Sequence, residues 1–144
     1  MGYKRKARIL FVSRLGAGAL IAQSFAHTLG AAFITARAGA CASPACLDLA
    51  REIMRETGLE PAAGEPLRMP DDTAIAWADL VVAMDAAADA LIAQRPGGPP
   101  VRRFPLEEPA LAGGDEYRAL RERIRARVEG MVGGMRMLEN QSEI

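Results

Sequence analysis

The fold of this chain is decided by residues 9–23, ILFVSRLGAGALIAQ. The run up to Val12 is apolar without a break, which is typical of a strand buried on both faces of a sheet. A glycine-containing turn follows, and the apolar residues after it begin a helix. Backbone N–H groups that converge in such a turn form a cradle for an anion, together with the positive end of the helix dipole. We therefore predict an anion-binding loop made of Ser13, Arg14, Leu15, Gly16, Ala17, Gly18, Ala19 and Leu20.

The rest of the chain alternates short apolar runs with helical periodicity, as parallel α/β architecture requires. Strands are predicted at 8–12, 32–36, 79–84 and 101–104. Helices are predicted from the first turn to Gly30 and at 46–57, 71–77 and 85–94. A last helix is predicted where apolar residues recur from Tyr117 to Met131, with its end weakened by the glycines at 130, 133 and 134. This order predicts an α/β fold with a small, doubly wound, flavodoxin-like sheet of four parallel strands and helices on both faces. Ligands of such sheets bind at the carboxyl ends of the strands, where the predicted loop lies.

Length and charge limit the kind of protein. The 144 residues suffice for one domain, and we predict a single domain over 1–144 with a loose C-terminal tail at 139–144. The 18 Lys and Arg residues balance the 18 Asp and Glu residues, so charge gives no reason to expect nucleic acid or an anionic membrane as partner. Nothing in the sequence indicates an oligomeric state.

The N-terminal segment does not have the pattern of a targeting signal. A basic start followed by an apolar run resembles a signal peptide, but Arg14, Gln23 and His27 interrupt that run. Lys6 does not fit the myristoylation pattern, and no stretch reaches the ~20 apolar residues that a membrane span needs. We therefore expect a cytoplasmic protein that does not bind membranes.

Four segments within residues 7–132 carry a family resemblance. They are the strand and loop ending in Ala22-Gln23, the tripeptide Arg37-Ala38-Gly39, residues 78–85 (ADLVVAMD), and residues 104–117 with Glu108-Pro109. In this order they resemble the low molecular weight protein tyrosine phosphatases and the related thioredoxin-coupled arsenate reductases. The resemblance implies that family's fold, with a phosphate loop at 13–20 and an acid-bearing loop before the last helix.

The resemblance also implies a reaction for which this chain lacks two residues. The family uses a cysteine thiolate as nucleophile, a loop arginine that grips phosphate, and an aspartate as general acid. Here Ser13 stands at the cysteine position and Ala19 at the arginine position. Glu108, before Pro109, takes the place of the aspartate. Whether the chain is an enzyme is therefore open at this point.

The leading interpretation is a phosphatase-like protein with impaired catalysis, a pseudophosphatase that binds a phosphorylated or other anionic group or a protein partner. The amides of residues 15–20 would bind phosphate weakly, and apolar residues of 15–21 would form an uncharged patch for a partner. The alternative is an active phosphatase that hydrolyses phosphotyrosine or small phosphomonoesters, with Ser13 as nucleophile and Glu108 as general acid or base. His27 is too far along the helix to assist Ser13, and an arginine from elsewhere, such as Arg37, would have to reach the loop.

The two candidate catalytic residues also have structural interpretations. Ser13 can simply cap the turn, and Glu107 and Glu108 can be solvated loop carboxylates. Trp77 and Met84 are interpreted as core residues rather than ligand contacts.

Other chemistries have weaker support. Residues 16–18 suggest nucleotide binding, but residue 21 is isoleucine where the dinucleotide motif needs glycine. Cys41 and Cys46 could form a disulfide or take part in arsenate reductase-like redox chemistry. Two reduced cysteines are favoured, because the loop cysteine that begins that chemistry is missing. No cluster of His, Cys and carboxylates has metal-ligand spacing, and we expect neither a metal nor another cofactor.

Overall fold

The computed structural model describes residues 5–42, 47–59, 67–94, 97–109 and 113–142, except the side chains of 138–142. The strands are β1 (Ala7–Ser13), β2 (Ile34–Ala40), β3 (Leu80–Ala83) and β4 (Val101–Arg103). The helices are α1 (Ala17–Leu29), α2 (Leu47–Arg55), α3 (Asp72–Trp77), α4 (Ala86–Ala93) and α5 (Gly114–Ser142). The strands form one parallel sheet in the order β2-β1-β3-β4, which confirms the predicted fold class.

The central strand β1 explains why its sequence is apolar without interruption. Ile9 and Phe11 lie in a core layer that also contains buried residues of α1, α2 and α5. Leu10 and Val12 point to the opposite face and pack in a second layer with residues of α3 and α4. A strand covered by helices on both faces buries every side chain, so no polar alternation remains.

Two elements depart from their predicted limits by more than two residues, whereas the other helices and strands agree within two residues at each end. β2 was predicted at 32–36 but runs from Ile34 to Ala40, because it pairs with β1 along its whole length. This pairing uses backbone groups, so the exposed Arg37 does not end the strand.

The last helix was predicted to weaken at the glycines at 130, 133 and 134 and to give way to a tail at 139–144, but α5 continues to Ser142. Met131 and Val132 are buried in the core, and Met135 packs against it, so tertiary contacts outweigh the low helix propensity of the glycines. Helical backbone therefore enters the segment 139–144 that was predicted as a tail, whereas residues 143 and 144 lie outside the described residues.

The assignment of 1–144 to a single domain stays a prediction. In the described part of the chain, no helix is both long and apolar enough to cross a membrane.

Candidate functional site

The predicted loop lies at the topological switch point of the sheet, where β2 has been added on one side of β1 and β3 is added on the other. In the order β2-β1-β3-β4 this switch point falls between β1 and β3, the usual ligand position of doubly wound sheets. Ser13 ends β1, and Asp85 follows β3 two residues after its end. The segment after β4 returns to the same edge and contributes Glu108. The structure therefore brings together Ser13 and Glu108, the two candidate residues.

The turn into α1 requires glycine at one position. Gly16 precedes the helix with φ of 86°, in the left-handed region. A Cβ atom there would also lie 3.0 Å from Leu67 Cδ1 and 3.1 Å from the Ala40 Cβ. A side chain at this position would be strained by the backbone and by its neighbours.

The carboxylate of Glu108 occupies the anion cradle. The Leu15 N–H donates to Glu108 Oε1 at 2.9 Å, and the Gly18 N–H donates to Oε2 at 3.1 Å. Only 7% of Glu108 is exposed, so the interpretation as a solvated loop carboxylate is wrong. The cradle thus holds an anion, but that anion belongs to the same chain.

The hydroxyl of Ser13 is directed into the loop. Its Oγ accepts from the N–H groups of Gly16 and Ala19, both at 3.1 Å. Ser13 is fully buried. It therefore caps the turn, as its structural interpretation stated, and its oxygen is engaged by two donors.

Asp85 is a second internal acceptor, and the sequence did not single it out as one. Its Oδ2 accepts from the Arg14 N–H at 2.7 Å, and its Oδ1 caps α4 by accepting from the Ala88 N–H at 2.9 Å. An aspartate directly before a helix, three residues ahead of a free amide, was the signal that could have revealed the cap. Arg14, Leu15, Gly16, Gly18 and Ala19 all donate their loop N–H groups to side chains of this chain.

Burial dominates the electrostatics of Glu108. Removal from water raises the pKa of its carboxyl above the ordinary value, and the nearby charge of Asp85 raises it further. The hydrogen bonds from Leu15, Gly18 and Ser13 act in the opposite direction without cancelling the rise in pKa. The cradle therefore holds the carboxylate by directed donors, without an arginine.

The loop does not present an apolar patch, so that expectation was wrong. Ala17, Ala19 and Leu20 are buried in the core, and so is Ile21. Only Leu15 of this set is partly exposed. The reason is that α1 packs the face carrying these side chains against the sheet.

Arg37 does not replace the missing loop arginine. The guanidinium of Arg37 lies 4.2 Å from the centroid of the Trp77 ring, on the face of the sheet near α3. His27, near the end of α1, accepts a hydrogen bond from the Ala36 N–H at 3.2 Å, and this bond joins α1 to β2. Neither side chain contacts Ser13.

Cys41 borders the site but is poorly suited as a nucleophile. Cys41 directly follows β2, and its N–H donates to the Ser13 carbonyl oxygen at 3.0 Å. Burial, with the charges of Asp85 and Glu108, raises the pKa of this half-buried thiol to about 11. Cys46 lies outside the described residues, so a disulfide between the two cysteines stays untested. Within the described ranges, no group of His, Cys, Asp and Glu could hold a metal ion.

We expect Cys41 to react slowly with alkylating reagents. A pKa of about 11 instead of 9.0 leaves about 100-fold less thiolate at pH 8. The measurement is the rate of iodoacetamide labelling of Cys41 in a Cys46→Ser variant, with the same protein in denaturant as control. A native rate equal to the denatured rate would contradict the expectation.

No protein-family model matches the sequence, and no curated protein matches it. Solved structures do match. The YwlE arginine phosphatase from Geobacillus stearothermophilus is 18% identical, with 94% of this chain and 96% of that chain covered at a TM-score of 0.76. A Cys-to-Ser mutant of YwlE arginine phosphatase with a phosphorylated active site serine is 16% identical, with 90% and 95% covered at a TM-score of 0.77. The arsenate reductase from Archaeoglobus fulgidus DSM 4304 is 18% identical, with 88% and 98% covered at a TM-score of 0.67.

These likenesses establish the fold. The chain has the architecture shared by low molecular weight phosphatases and arsenate reductases, which confirms the resemblance seen in the sequence. Identities of 16 to 18% support the fold, but the chemistry has to be argued from the residues of the site.

Proposed function

We propose that this protein is a pseudophosphatase: it has the low molecular weight phosphatase fold, does not turn over phosphate esters, and acts by binding a protein partner. The observation that carries the proposal is the Glu108 carboxylate, which takes the Leu15 and Gly18 amides that a phosphate would need. The phosphate loop then has a structural role, because it joins the segment after β4 to the start of α1.

Electrostatics support a site closed to phosphate. A phosphate group in the loop would meet Glu108 and Asp85, both buried and bonded to loop amides. Each pair of unit charges about 4 Å apart repels by about 4 kcal/mol near a protein surface, and no loop arginine offsets that repulsion. Phosphate would have to displace Glu108 before it could bind.

The residues for turnover are also missing. Ser13 is a weak nucleophile unless a base activates it, and Ala19 supplies no positive charge to the transition state. The Cys41 thiol is protonated at neutral pH because its pKa is raised to about 11. Loss of a single oxyanion donor typically lowers the rate by about 10²–10³-fold, before the missing thiolate is counted.

The test is a turnover assay on the purified chain. p-Nitrophenyl phosphate, a phosphotyrosine peptide and phosphoarginine are the substrates, the last because YwlE is an arginine phosphatase. We expect rates equal to those of a Ser13→Ala variant prepared in the same way. Turnover in the wild type that is abolished in Ser13→Ala would overturn the proposal.

One observation favours a second candidate, an enzyme with a serine nucleophile. A Cys-to-Ser mutant of YwlE carries phosphate on its active site serine. In this chain Ser13 Oγ and the Glu108 carboxylate accept from adjacent loop amides, Ala19 and Gly18. Glu108 could therefore accept the Ser13 proton while Ser13 Oγ bonds to phosphorus and the ester oxygen leaves. Mass spectrometry after incubation with p-nitrophenyl phosphate distinguishes the two candidates: phosphoserine at Ser13 supports the enzyme, and an unmodified chain supports the pseudophosphatase.

A further inference from the structure

Trp77 forms an aromatic and basic surface with two arginines, away from the phosphate loop. It is the only tryptophan of the chain, and it is half-buried at the end of α3. The guanidinium carbon of Arg37 lies 4.2 Å from its ring centroid, and that of Arg8 lies 6.0 Å away. Both distances are within the range of cation–π interaction.

The sheet is open beside this group. Arg37 pairs with Leu10, which faces the α3 and α4 layer, so Arg37 projects from that same face. α3 is only 6 residues long and packs against β1. On β2, Thr35 and Arg37 consequently remain exposed.

The charge of this surface is positive. The Arg5 guanidinium donates two hydrogen bonds to the Asp79 carboxylate, at 2.6 and 2.7 Å, and the backbone N–H of Arg8 donates a third at 2.8 Å. These hydrogen bonds, with the charges of Arg5 and Arg8, lower the pKa of Asp79 to about 2. Asp79 therefore faces both Arg5 and Arg8. Among the residues that the structure describes, neither Arg8 nor Arg37 forms an ion pair with a carboxylate.

We propose that the surface made by Arg8, Arg37 and Trp77 binds an acidic segment of a partner protein. A guanidinium stacked on an indole keeps its N–H groups available for carboxylates, and the stacking holds it in place before binding. Single-stranded nucleic acid fits less well, because Arg37 already covers a face of Trp77 on which a base would stack. This inference deepens the proposed function, on which it rests, by giving the chemistry of the partner.

The test measures binding of a fluorescein-labelled polyglutamate peptide by anisotropy, with Trp77 emission as a second readout. We expect saturable binding at low salt that weakens as salt is added, since exposed charges are screened. An Arg8→Gln/Arg37→Gln double variant is expected to bind about tenfold more weakly or worse. The matched control is Arg123→Gln, which removes an exposed arginine of α5 and should leave binding unchanged.

Three outcomes would overturn the inference. They are absence of binding at low salt, equal affinity in the wild type and the double variant, and tighter binding of oligothymidylate that the double variant abolishes. The last would identify a nucleic acid surface instead. Circular dichroism checks that the variants are folded, and the turnover assays on Ser13 are independent of all of these results.

Discussion

Replacement of Glu108 by alanine is expected to lower the free energy of unfolding by about 2–4 kcal/mol and to open the loop to phosphate. The reason is that the Leu15 and Gly18 N–H groups would lose their acceptors in a buried site. Each buried donor left without a partner costs about 1–3 kcal/mol. Urea denaturation of wild type and variant measures this difference.

Phosphate is expected to restore part of that loss in Glu108→Ala but not to stabilise the wild type. At a phosphate concentration 100 times the Kd, binding to the native state adds about 2.7 kcal/mol, read as a rise in Tm. Glu107→Ala is the matched control, because Glu107 is exposed and, among the described residues, accepts from the Ala86 N–H at 3.2 Å. It should change stability by less than about 1 kcal/mol and gain no response to phosphate. Equal responses of wild type and Glu108→Ala to phosphate would refute the internal-anion interpretation.

The second large effect is expected at Ser13. The Ser13→Ala substitution should lower the free energy of unfolding by about 2–4 kcal/mol, since the buried Gly16 and Ala19 N–H groups would both lose their acceptor. The measurement is again chemical denaturation, in parallel with the turnover assay.

Ser24→Ala is the control for Ser13→Ala, because Ser24 is also a buried serine. Its hydroxyl donates to the Leu20 carbonyl oxygen at 2.8 Å, one turn back in the same helix. Such a bond adds little to helix stability, so we expect a loss of less than about 1 kcal/mol. If Ser13→Ala proved as mild as Ser24→Ala, the capping role of Ser13 would have to be abandoned.

Much of the fold could be predicted because local patterns specify it. The apolar run of β1 followed by a glycine turn and a helix predicts a buried strand with a ligand loop at its carboxyl end. The limits of β2 and α5 were missed, because backbone pairing extends β2 past Arg37, and packing of Val132 and Met135 extends α5 past the glycines at 133 and 134. Neither effect is visible in the local sequence.

The sequence by itself determined the α/β fold, the place of the loop, and the absence of a cysteine at Ser13 and an arginine at Ala19. Only the tertiary structure decided what fills the loop. Glu108 is separated from Gly18 by 90 residues, and its carboxylate reaches the cradle because β4 ends beside β3 at the same edge of the sheet. A residue type shows which bonds a side chain can form, but burial and the convergence of distant segments decide which bonds it does form.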